Sequence, residues 1–94
     1  MGQPILIKRR DIRGEVLLID TDRSVTGQDG KAFGRNEGAS TIPGRLAEAI
    51  FSVDGEIDHV YLLQNTVTVR RRGGWDEAAT AEVETAVSSF FLYY

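Results

Sequence analysis

IDHVYLLQNTVTVRRR, residues 57–72, is the segment from which we infer the fold. Two runs rich in apolar and β-branched residues, Ile57–Leu63 and 67–72, flank the short polar segment 64–66. In the second run valines alternate with threonine and arginine, and this period of two is typical of a strand with one buried and one solvated face. The stretch therefore predicts an antiparallel hairpin.

A second hairpin is predicted near the start of the chain. Residues 5–10 are a short apolar run that passes into basic residues, and residues 15–20 are a second segment rich in apolar and β-branched residues. The polar residues between them end in Gly14, as a hairpin connection does. Residues 21–41 are rich in Gly, Asp, Ser, Thr and Asn. We expect a long loop there, with a short strand around 31–33.

Each hairpin is followed by a helix in our interpretation. Apolar residues spaced by three and four predict a helix over 43–53, with Thr41 as its cap and Gly55 as the positive-φ residue that stops it. Asp76 can cap a second helix that runs to the C-terminus. Trp75 either belongs to a recognition surface or packs back on this helix.

These elements predict an α+β fold of two layers. Its antiparallel sheet has four or five strands, and two helices cover one face, in the order β-β-α-β-β-α. The chain has 94 residues, and we expect one domain over residues 1–94 with one core.

Composition excludes several classes of protein. The chain contains no cysteine, so disulfides, thiol nucleophiles and cysteine ligands to zinc or an iron–sulfur cluster are excluded. No apolar run approaches the roughly 18 residues that indicate a membrane span. No secretory signal is visible at the start, so we expect a cytoplasmic protein without membrane contact.

No group of residues indicates a catalytic, cofactor or metal site, and we do not expect an enzyme. His59 is the single histidine, and a transition metal there would need carboxylates to complete its ligands. A solvated strand residue is the simpler interpretation. Asp20, Asp22 and Asp29 lack the spacing of a calcium loop, and turn chemistry explains them better.

Basic residues and the C-terminal tail are the candidate partner surface. If the first and last strands lie close together, Lys8, Arg10, Arg70 and Arg72 would gather on the wet face and attract phosphate or an acidic protein. The five large apolar residues 90–94 exceed what one helix face can bury, so the tail either forms a contact surface or folds back. The predicted surface comprises Lys8, Arg10, Arg70, Arg71, Arg72, Tyr93 and Tyr94.

Several motifs in a fixed order carry a family resemblance. They are Phe33 followed by NEGAS at 36–40, LAEAIFSVDG at 46–55, VTV at 67–69 and WDE at 75–77. In order and spacing they resemble the N-terminal domain of Nfu/NifU-like iron–sulfur scaffold proteins. The segment before Phe33 departs from the family pattern, because the family's asparagines are absent there.

The resemblance implies that this chain neither catalyses a reaction nor ligates an iron–sulfur cluster. In longer family members a second domain carries the Cys-x-x-Cys pair that holds the cluster, and this chain has no cysteine. We therefore expect a non-enzymatic interaction module, a monomer or weak homodimer. Its partners would be iron–sulfur assembly proteins or their clients. The alternative is a nucleic-acid or phosphate-binding module that uses the basic strand residues, although the formal net charge of −3 disfavours nucleic acid.

Overall fold

The hairpin predicted from residues 57–72 lies inside a five-stranded antiparallel sheet. The computed structural model describes residues 7–22, 30–34 and 42–90. Within them the elements are β1 (Ile7–Arg13), β2 (Val16–Thr21), β3 (Lys31–Gly34), α1 (Ile42–Phe51), β4 (Ile57–Leu63), β5 (Thr66–Arg71) and α2 (Glu77–Phe90). The predicted α+β class is confirmed. The short strand expected around 31–33 is β3, which brings the number of strands to five and changes the element order to β-β-β-α-β-β-α.

The sheet order is β1-β2-β5-β4-β3, so pairing of β2 with β5 joins the two hairpins. Leu17 lies opposite Val69 and Ile19 lies opposite Val67 across this pairing. All four side chains are fully buried, because strand alternation directs them to the face that the helices cover. β1 and β3 are the edge strands of the described sheet.

Two-residue turns close both hairpins. Gly14 has φ 61° at the first turn, a left-handed conformation that favours glycine. Gln64 has φ 53° at the second turn, where the sequence offers no glycine. Asn65 anchors this second turn: its side-chain Nδ2 donates to the Thr21 carbonyl at 3.1 Å, and its own carbonyl accepts from the Thr21 backbone N–H at 2.9 Å.

One hydrophobic core lies between the sheet and the two helices. The helices contribute mainly residues spaced by three or four, as an amphipathic helix does. The buried helix residues of this core are Leu46, Ala47, Ile50, Phe51, Val83, Val87 and Phe90, and they pack with Leu17, Ile19, Phe33, Ile57, Val60, Leu62, Val67 and Val69 of the sheet. Neither described helix is long and apolar enough to cross a membrane.

The start of α2 confirms the predicted cap. The Asp76 carboxylate accepts the backbone N–H of Ala79 at 2.8 Å, which satisfies a donor that the first helical turn leaves free. Trp75 packs against the core, and its indole Nε1 donates to the carbonyl of Glu15 at 2.9 Å. The tryptophan therefore holds α2 against the first hairpin.

The end of α1 differs from the prediction. Gly55 is not among the described residues with positive φ, so it does not stop the helix in the way we expected. Asp54 shapes the turn instead, because its Oδ1 accepts the backbone N–H of Glu56 at 2.9 Å and its carbonyl accepts that of Ile57 at 3.2 Å. The predicted cap Thr41 lies outside the described residues.

Truncation of the core tests this packing. Leu62 is fully buried, and we expect Leu62→Ala to lower the free energy of unfolding by about 2–5 kcal/mol. Ile12 is 44% exposed, so Ile12→Ala should cost less than about 1 kcal/mol. Urea denaturation of both variants measures the difference, and equal losses would contradict the described burial.

Candidate functional site

Arg70 is held by a carboxylate on the neighbouring strand. Its Nε and Nη2 donate to the two oxygens of Asp58 at 2.9 and 3.1 Å. These hydrogen bonds hold the pKa of Asp58 below its ordinary value and raise the pKa of Arg70. A phosphate ligand would therefore have to compete with an existing two-point ion pair.

Arg71 joins two turns of the chain rather than facing a partner. Its Nε donates to Asp54 Oδ2 at 2.7 Å, and its Nη1 donates to the carbonyl of Gly74 at 2.7 Å. The hydrogen bond to Asp54 raises the pKa of Arg71, and the side chain is only 20% exposed. Arg71 thus ties the turn after α1 to the turn before α2.

Arg72 is the weakly held member of the triplet. Its Nε lies 3.7 Å from Glu56 Oε2, and the two side chains are 66% and 57% exposed. An ion pair this open to solvent contributes little. Each of the three consecutive arginines nevertheless has a carboxylate beside it, so the triplet does not form an unopposed basic patch.

The four basic residues predicted to gather do not share one face. Arg10 lies opposite Ile19, whose side chain is in the core, and its Nη1 donates to Glu84 of α2 at 3.0 Å. Arg70 lies opposite Val16 on the other face of the sheet. In addition, β2 separates β1 from β5. The expectation depended on the first and last strands being neighbours, and the sheet order does not meet that condition.

The edge strand β1 carries a basic surface of its own. Lys8 and Arg9 are exposed and form no ion pair with any residue that the structure describes, whereas Arg13 pairs with Asp11 at 2.9 Å. The strand pairing is irregular between Ile7 and Arg9, which indicates a bulge at Lys8. A cavity of about 340 Å³ lies here, lined by Ile7, Lys8, Arg9, Arg10 and Glu84.

The sheet face opposite the two helices, which we call the open face, has an apolar centre. Strand alternation and register place on it the half-buried residues Val16, Leu18, Tyr61, Leu63, Thr66 and Thr68. Charged residues border this centre, with Arg13 on β1 and the pair Arg70–Asp58 on β5 and β4. The centre also includes Thr66 and Thr68 of the central strand β5. Protein interfaces in general combine an apolar core with a polar rim.

Tyr61 is positioned by a glycine. A side chain on Gly30 would run into the Tyr61 hydroxyl, so the absence of a Cβ at residue 30 leaves room for the ring. Sequence reasoning missed Leu18 and Tyr61 as surface residues. Residues 16–19 are all apolar, so no alternation in the sequence assigns Leu18 to a face, and only the register brings it into one row with Thr68 and Tyr61.

The described residues hold no group of three metal-ligating side chains. His59 lies on β4 opposite Arg70 and is half-buried. The Asp20 carboxylate accepts the Thr66 hydroxyl at 3.0 Å, which links β2 to β5. Asp29 lies outside the described residues.

Tyr93 and Tyr94 also lie outside the described residues, so their predicted contact role stays a prediction. On the helical side of the described chain, an apolar cavity of about 410 Å³ is open to solvent. It is lined by Val53, Ala81, Glu82, Thr85 and Ala86.

Comparison with known proteins identifies a shared fold and no family. No protein-family model and no curated protein matches the sequence. Among solved structures, the crystal structure of protein SAV1430 from Staphylococcus aureus is similar, with a TM-score of 0.68 and 12% identity over 86% of this chain and 96% of that one. At this identity the similarity shows the fold alone.

Substitution of neighbouring arginines tests the difference between Arg71 and Arg72. We expect Arg71→Gln to lower the melting temperature clearly, because it removes the hydrogen bonds to Asp54 and Gly74. Arg72→Gln changes the charge equally but should have little effect, because its ion pair is solvated. Thermal unfolding followed by circular dichroism distinguishes them, and equal shifts would contradict the structural role of Arg71.

Proposed function

We propose that this chain is a non-enzymatic protein-binding module that docks a partner protein on its open face and serves iron–sulfur protein maturation without ligating a cluster itself. The observation that carries the proposal is the apolar centre of the open face. A solvated antiparallel sheet face normally alternates polar side chains outward, whereas here the half-buried Leu18 and Tyr61 lie on either side of Thr68 of the central strand, and Leu63 follows at the turn end of β4.

The charge arrangement supports a protein partner over nucleic acid. Nucleic-acid modules present unopposed lysines and arginines, which neutralise phosphates and release counterions. In this chain Arg70 and Arg71 already donate to Asp58 and Asp54, and the formal net charge is −3. Binding of a phosphate backbone at the triplet would require breaking these contacts, so this second function has less support.

The link to iron–sulfur maturation rests on the motif resemblance. The segments at 46–55 and 75–77 resemble the N-terminal domain of Nfu/NifU-like proteins, in which a separate domain provides the cluster cysteines. These 94 residues contain no cysteine, so they would not supply cysteine ligands to a cluster. The proposed partners are accordingly iron–sulfur assembly proteins or their clients.

The proposal is tested by using the wild-type chain and two aspartate variants as bait to capture partner proteins. Leu18→Asp places a charge in the apolar centre of the open face, and Ala78→Asp places the same charge in the exposed first turn of α2, where the helix dipole tolerates it. Wild type and Ala78→Asp should capture the same iron–sulfur assembly proteins from a lysate of the source cell. Leu18→Asp should lose them.

Circular dichroism must first show that both variants are folded. Capture that is equal for all three proteins would contradict docking on the open face. Capture of proteins unrelated to iron–sulfur assembly would contradict the proposed pathway, and capture of nucleic acid alone would favour the alternative function.

A further inference from the structure

We infer that the outer edge of β1 binds an extended acidic peptide by strand addition. This inference rests on the proposed protein-binding function and names the chemistry of a partner segment. It is carried by the backbone edge of β1 with which no described strand pairs, by the exposed side chain of Ile12 on that edge, and by the cations Lys8 and Arg9 beside it.

The direction of the β1 backbone groups follows from hydrogen bonds of β2. The carbonyl of Glu15 accepts from Arg71 and the N–H of Thr21 donates to Asn65, so residues 15 and 21 direct their backbone groups toward the second hairpin. Because these directions alternate along a strand, the even-numbered residues of β2 face β1. Their partners on β1 are Arg9, Asp11 and Arg13.

Arg10 and Ile12 therefore direct their backbone N–H and C=O groups away from β2. No other strand pairs with β1 in the described part of the chain. An unpaired edge of this kind is the template that extended peptides use when they add to a sheet. Backbone hydrogen bonds supply affinity in that mode, and alternate side chains supply specificity.

Ile12 gives the edge an apolar contact. Its side chain is 44% exposed, and among the described residues it is the one large hydrophobic residue that is classed as exposed. It lies opposite Leu17, so its side chain is on the helix-covered side of the sheet at the outer margin of the core. An apolar side chain of an added strand would cover it.

The charge of β1 selects an acidic partner. The strand carries Lys8, Arg9, Arg10 and Arg13 against one carboxylate, Asp11. Glu84 and Asp11 engage Arg10 and Arg13, whereas Lys8 and Arg9 have no ion pair among the described residues. Carboxylates on the peptide would pair with these two cations. A second copy of this chain fits poorly, because it would place two basic edges against each other.

Charged edge strands also protect sheets from unwanted pairing, and a direct binding experiment separates the two roles. The probe is a fluorescein-labelled, end-capped peptide of alternating glutamate and valine with the length of β1. The control peptides carry glutamine or lysine in place of glutamate. Fluorescence anisotropy should show binding of the glutamate peptide that weakens as salt rises, and no binding of the lysine peptide.

Matched charge reversals locate the contact. Lys8→Glu lies on β1 and Lys31→Glu lies on the other edge strand, and both lysines are exposed. Lys8→Glu should weaken peptide binding by about fivefold or more, because it replaces an attraction by a repulsion. Lys31→Glu should change it by less than about twofold, since only the long-range field differs. Equal weakening would overturn the inference.

Ile12→Pro tests the backbone contact. It removes an N–H that faces outward, so the ladder to β2 keeps its bonds while addition of a strand is blocked. Loss of peptide binding with unchanged Trp75 fluorescence supports strand addition. If the variant does not fold, amide exchange of the wild type replaces it: the peptide must slow exchange at Arg10 and Ile12.

Three outcomes overturn the inference. They are absence of binding by the glutamate peptide, binding that is unaffected by both Lys8→Glu and Ile12→Pro, and displacement of the peptide by single-stranded DNA that binds equally tightly. If partner proteins are still captured and are lost only with Leu18→Asp, the proposed function stands and the β1 inference fails alone.

Discussion

Glu15 makes the contacts on which the rest of this structure depends. Its carbonyl accepts from the backbone N–H of Arg71 and from Trp75 Nε1, both at 2.9 Å, and its carboxylate accepts the backbone N–H of Gly73 at 3.0 Å. One residue of the first hairpin turn thereby holds the end of β5 and the segment before α2. The first hairpin, the second hairpin and the C-terminal helix are fixed relative to one another at this point.

The arrangement sorts the basic residues by role. With β2 locked to β5, the end of β5 lies in the interior of the sheet, where Arg70 and Arg71 find carboxylates of neighbouring segments. β1 is left as an edge, and Lys8 and Arg9 on it remain without ion pairs in the described chain. Basic side chains are therefore paired at the end of β5 and, among the described residues, without ion pairs at Lys8 and Arg9.

Local features could be predicted from the sequence, and non-local ones could not. The hairpin of residues 57–72 and the Asp76 cap follow from patterns a few residues long. The pairing of β2 with β5 joins segments about 50 residues apart, as Val16 and Arg70 illustrate, and no short pattern specifies it. That pairing places β2 between β1 and β5 and so separates Arg10 from Arg70. The prediction that Gly55 ends α1 with a positive φ was wrong, because a hydrogen bond to the Asp54 side chain shapes this turn instead.

Amide hydrogen exchange of the free protein tests most directly whether β1 offers an open edge. The N–H groups of Arg10 and Ile12 should exchange rapidly, because they point away from β2 and no described strand pairs with them. Those of Asp11 and Arg13, which face β2 in the same strand, should exchange more slowly. Equally slow exchange at all four residues would mean that the outer edge of β1 is already paired, and this result would contradict strand addition at β1.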